Sequence, residues 1–66
     1  MVRRERYNLN NPETALSLFR HWCLRRRVVP DYATIEDLDR FGYALLEDGY
    51  SPDEVEHCKY MIFNRL

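Results

Sequence analysis

YSPDEV, residues 50–55, carries the whole chemistry of a helix start in six residues. Ser51 suits the N-cap, where a hydroxyl accepts an orphan backbone N–H, and Pro52 suits the first helical position, where its missing N–H costs nothing. Glu54 stands three residues after the cap as its reciprocal capping partner, and Tyr50 and Val55 hold the two positions of a hydrophobic staple. A helix is predicted over 52–65, with Val55, Cys58, Ile62, Phe63 and Leu66 on its buried stripe.

Gly49, just upstream, closes the preceding helix, because a glycine adopts the left-handed backbone without steric cost. That helix begins at Thr34, whose spacing to Asp37 is that of a capping box. Ile35, Leu38, Phe41, Leu45 and Leu46 follow one face of it, so a second helix is predicted over 35–48. The short connection between the two makes them a tight hairpin or corner. Pro30 discourages helical geometry at Val29 and forces a turn there. Before the turn, Asn11 as N-cap, Pro12 at the first position and Glu13 at the positive end of the helix dipole start a first helix, predicted over 12–27. Its core face is Ala15, Leu18, Phe19, Trp22 and Cys23. Residues 1–10 have no sustained period and read as an irregular basic arm in which Tyr7 and Leu9 anchor onto the body. The fold predicted is therefore all-α: an N-terminal arm, residues 1–10, and a single three-helix domain, residues 11–66.

A chain of 66 residues buries only about 60% of the surface its unfolded form exposes, so its core alone stabilises it modestly. Small domains add disulfides, a metal, an oligomer or a partner. Two cysteines are too few for a disulfide framework, and no apolar run is long enough for a signal peptide or a membrane span. A reducing, cytoplasmic setting and a partner or homodimer are the expectation. Hydrophobic residues at 45%, nine aromatics among them, exclude a disordered chain.

The net charge of −1 conceals an asymmetry. Residues 1–30 hold seven arginines against two glutamates, and residues 31–66 hold nine acids against three bases. Such halves meet within one fold or between chains. The split argues against both a whole-protein polyanion binder and a DNA mimic.

Arg25, Arg26 and Arg27 form the densest basic run. On a helix they radiate: Arg26 falls within the core face, Arg20 and Arg27 share one flank and Arg25 takes the opposite one. At the least they complement the negative end of the helix dipole. Contact with nucleic acid by Arg20, Arg25, Arg26 and Arg27, joined by Arg3, Arg4 and Arg6 of the arm, is the alternative function. Contact with protein carboxylates suits arginine better, because its planar fork pairs bidentately and stacks on aromatics.

No catalytic or cofactor signature is present. His21 with Cys23, and His57 with Cys58, are zinc-ligand types at spacings that point the side chains apart on a helix, so no metal site is expected. Helices 2 and 3 invite a helix-turn-helix reading, opposed by Asp53, Glu54 and Glu56 on the first turn of the reading helix. Residues 35–62 resemble the small helical DNA-clamping domain that precedes the catalytic part of tyrosine recombinases. The resemblance lies in apolar spacing and one turn, and it carries over no functional residue.

Several large residues are left after each helix has given one stripe to a core: Leu24 on helix 1, Tyr43 on helix 2, Tyr60 and Met61 on helix 3. Tyrosine, tryptophan, methionine and arginine are enriched at protein interfaces. The expected function is thus a non-enzymatic interaction module, a regulator or inhibitor of the size that phages and bacteria encode. Trp22, Leu24, Tyr43, Tyr60 and Met61 are its apolar contacts, and Arg25 and Arg26 its charge partners.

Overall fold

The structure, a computed structural model, describes residues 7–65. Three helices, α1 (Pro12–Arg25), α2 (Ile35–Glu47) and α3 (Pro52–Phe63), are joined by a 3-10 turn at Pro30–Tyr32 and by the short corner around Tyr50. The N-cap residues of all three helices are those the sequence predicts. The Asn11 side chain accepts the N–H groups of Glu13 and Thr14. Thr34 and Asp37 close a full capping box, and the N–H and hydroxyl donated by Thr34 hold the Asp37 carboxyl below its ordinary pKa, with Arg40 and Arg26 adding to the effect. The Ser51 hydroxyl accepts the Glu54 N–H and donates to the Glu54 carboxylate. Each cap satisfies donors that the first turn would otherwise leave without partners.

The C-terminal ends explain where the helices stop. After α2, the Tyr50 N–H reaches the Leu45 carbonyl and the Gly49 N–H reaches that of Leu46, a Schellman motif with Gly49 at φ 101°. The same motif closes α1, with Val28 N–H on the Cys23 carbonyl at 2.8 Å and Arg27 N–H on that of Leu24 at 3.1 Å. Here the left-handed position is filled by Arg27, at φ 59°. The helix thus ends two residues before the predicted Arg27, and Arg27 leaves the helical flank assigned to it beside Arg20. Nothing in the local sequence marks the stop, because the residue that makes it is not a glycine. A non-glycine residue in this conformation costs roughly 1–2 kcal/mol, part of which glycine returns through its freer unfolded chain. Arg27→Gly is therefore expected to stabilise the fold by about 0.5–1 kcal/mol, read as a higher urea midpoint at unchanged slope.

The buried core comprises Leu9, Ala15, Phe19, Cys23, Leu38, Phe41, Leu45, Tyr50, Val55, Cys58 and Ile62. Phe19 is its centre, edge-on to Phe41 at 5.2 Å between ring centroids and stacked with Trp22 at 6.2 Å. Leu9 is sealed against this body, and the Tyr7 N–H donates to the Tyr50 hydroxyl at 2.9 Å. Tyr50 thereby joins the end of α2, the start of α3 and the segment before α1.

Three predicted core residues lie outside this core: Ile35, Leu46 and Phe63 are 63%, 39% and 53% exposed. Leu66 lies outside the described residues, and Leu18 and Trp22 are half-buried at the core's edge. The reason is geometric. In a three-helix body each helix has two neighbours, and α2 uses them up between Phe41 and Gly42. Ile35 and Leu46 sit roughly 70–90° around the helix from the middle of that stripe, beyond the arc its neighbours cover. Phe63 is displaced to the same side on α3.

Candidate protein-interaction surfaces

Trp22 lies between the core and a groove that α1 and α2 form together. Its ring meets Phe41 edge-on at 5.8 Å, and the Arg26 guanidinium carbon stands 5.0 Å from the indole centroid. This contact settles where Arg26 goes: the helix ends at Arg25, so Arg26 is the C-cap and folds its planar group over the aromatic face. It is exposed, as are Arg25 and Arg27. Arg25 and Arg26 form one lip of the groove, Glu47 and Asp48 the other, and Leu18 and Trp22 line the space between. The groove therefore has a half-buried aromatic ring on its floor between basic and acidic lips.

The remaining predicted contact residues do not gather there. Leu24 is 65% exposed on the far flank of α1, in a depression shared with Leu16, Arg20 and His21. Tyr43 and Tyr60 are exposed on α2 and α3. Met61 is half-buried and packed against the core, so it is a packing residue and not the free anchor expected from its place on α3. The arginines divide too. Arg20 borders Leu16, Pro30 and Arg65, while Arg25 and Arg26 line the α1–α2 groove. Arg3, Arg4 and Arg6 lie outside the described residues.

A second face, between α2 and α3, escaped the sequence reading because Leu46, Ile35 and Phe63 were assigned to the core and Tyr43 was read as a contact residue on its own. Tyr43, Leu46, Pro52 and the Lys59 stem line it, with Gly42 at its base. Lys59 Nζ pairs with Asp39 at 2.9 Å and lies 3.8 Å from Glu56. The Asp39 hydrogen bond raises the Lys59 pKa against the opposing cost of burial. The legible signal was a second periodicity, four then three then four residues, in Ile35, Asp39, Gly42 and Leu46 and again in Pro52, Glu56, Lys59 and Phe63.

Cys23 and Cys58 are free and buried. Burial pushes the Cys58 thiol up to about 11, and burial with the nearby Asp37 charge raises Cys23. Both are neutral thiols at physiological pH and therefore poor nucleophiles. Among the described residues, no three His, Cys, Asp or Glu side chains are placed to hold a metal ion, and no helix is long and apolar enough to cross a membrane. No protein-family model, curated protein or solved structure matches this chain.

Proposed function

We propose that this chain is a small non-enzymatic interaction module of the cytoplasm, a regulator or inhibitor that occupies a surface of a larger protein and self-associates as a homodimer. The observation that carries this reading is the ratio of spare to buried apolar side chains. Among the described residues, nine large hydrophobics are exposed, against a core of eleven residues. Single exposed apolar residues are ordinary, but so many on a small body make contact surfaces. The α1–α2 groove adds a directional element, with Trp22 between lips of opposite charge.

The division of the arginines favours protein over nucleic acid, because phosphate tracking needs basic groups on one surface. Affinity capture from source cells tests the reading, comparing the natural chain with an R25E/R26E variant whose folding is checked by circular dichroism. The expected result is one protein captured in stoichiometric amount and lost with the variant. Recovery of nuclease-sensitive material instead, with gel-shift binding that weakens steeply as salt rises, would replace this reading with the nucleic-acid one.

A further inference from the structure

The α2–α3 face has a pattern that names its own partner. The Lys59–Asp39 pair, and the approach of the Lys59 stem to within 2.8 Å of where a Cβ on Gly42 would stand, fix the antiparallel register of the two helices. Leu46 and Pro52 line one end of the face together, and the same register sets Phe63 opposite Ile35 at the other. Each helix thus shows a stripe at alternating steps of four and three residues, exposed except at buried Gly42 and half-buried Lys59, the spacing of a helical-bundle seam. Both stripes are apolar at their ends and charged in the middle.

We propose that this face is the homodimer interface, occupied by a second copy of the chain related by a two-fold axis running along the hairpin. The proposal rests on the homodimer part of the reading above. About that axis α2 of each copy lies against α3 of the other, and every neighbouring pair in the resulting four-helix bundle is antiparallel. Asp39 then faces the partner's Lys59 while keeping its own, and Glu56 of each copy stands beside its own Lys59, so each lysine at the centre lies among carboxylates. Ile35 and Phe63 of both copies gather at one end, and Leu46 and Pro52 at the other.

Charge complementarity selects a second copy over other occupants. A wholly apolar partner would strip water from Asp39, Glu56 and Lys59 without returning a bond, whereas a second copy returns an opposite charge to both Asp39 and Lys59. Size sets the strength. Helices of 13 and 12 residues, side by side, make a face about 20 Å long and about 20 Å wide. Its outline, about 400 Å², is smaller than the ~800 Å² per partner of an ordinary stable interface, so a weak dimer is expected. The polar centre costs affinity and fixes orientation, as a buried polar residue does in a coiled-coil seam.

Sedimentation of the full chain from about 1 to about 500 µM tests this, and the mass is expected to rise from 8.1 kDa towards twice that value. Ile35→Glu and Phe63→Glu change exposed side chains, so the helical signal should persist while self-association weakens at least about tenfold. D39K and K59D should each self-associate poorly, since D39K sets lysine against lysine across the interface and K59D leaves only carboxylates at the centre. Mixing the two should restore a dimer, because every cross-chain pair is again opposite in sign.

A natural chain that stays monomeric throughout overturns both the dimer and this face. A dimer indifferent to Ile35→Glu and Phe63→Glu overturns the face and leaves the homodimer reading standing. Failure of the mixed variants to pair, when each alone is folded, overturns the two-fold arrangement. A monomer whose captured protein is lost on Ile35→Glu assigns the face to that protein and removes the second copy. Loss of captured protein with R25E/R26E is a separate readout, independent of self-association.

Discussion

Phe19→Ala is expected to leave the chain unfolded at 25 °C. Phe19 is 1% exposed at the middle of α1, with the rings of Trp22 and Phe41 both packed on it. Truncating a buried phenylalanine to alanine costs about 3–5 kcal/mol, the lost transfer energy plus the cavity left behind. A single core below about 70–80 residues rarely supplies more than roughly 3–5 kcal/mol in total. The cost matches the whole, so the equilibrium tips. The cavity has little chance to collapse, because Phe41 approaches from α2 and the paired faces of α1 and α3 hold the other walls. Far-ultraviolet circular dichroism and amide dispersion in a proton spectrum read the outcome at once. Phe19→Leu is the control: it keeps most of the volume, costs less, and should give a folded chain with a lower urea midpoint. A Phe19→Ala chain that stays cooperative and helical would show that α2 and α3 hold together without the aromatic cluster.

The loss would be felt on the candidate surfaces too. Trp22 borders the α1–α2 groove only because Phe19 and Phe41 hold its inner edge, and Arg26 is oriented by the indole beneath it. Stability and the groove therefore share one set of rings. A variant that loosens the core is not a clean probe of binding, which is why charge reversal at Arg25 and Arg26 is the better instrument there.

What was legible in the sequence was punctuation. Asn11, Thr34 and Ser51 announce their helices because capping is local: the bond partners lie two or three residues away, and no tertiary contact is needed to form them. Gly49 is legible for the same reason. The end of α1 was not, because the left-handed residue is Arg27 and a sequence rule keyed to glycine passes over it. Placement of apolar residues around α2 and α3 was legible only in part. Leu38, Phe41, Leu45, Val55, Cys58 and Ile62 are buried as predicted. Ile35, Leu46 and Phe63 share the same periodicity within the error of a helical wheel, and which of two adjacent stripes is covered depends on where the third helix lies. That is a property of assembly, outside any one helix. Met61 failed in the opposite direction: its stripe looks spare on α3 alone and is packed against the core once the three helices assemble.

Gly42→Leu is the second large effect expected, a loss of about 2–3 kcal/mol against the gain that helix propensity alone would bring. Glycine is the worst ordinary residue for a helix interior, and leucine should improve α2 by somewhat under about 1 kcal/mol. Space reverses the sign. Even the first carbon of a side chain at Gly42 would stand 2.8 Å from Lys59 Cδ and 3.3 Å from Val55 Cγ1. The lysine stem can swing aside, at the expense of its 2.9 Å pair with Asp39, a loss of under about 1 kcal/mol for so exposed a pair. Val55 is buried on α3 and has nowhere to go, so α3 itself must retreat and open the seam behind it. Gly42→Ala should fall near zero, propensity and crowding cancelling, and Lys59→Ala in the same chain should turn it stabilising by removing the closer obstacle. The leucine variant should gain far less from Lys59→Ala, because the contact with Val55 is unchanged. Urea titration of the four chains at low micromolar concentration separates these outcomes from any second copy docking over Gly42, since mass action favours the monomer there. An undiminished midpoint for Gly42→Leu would mean that the close packing of α2 on α3 does not depend on the glycine between them.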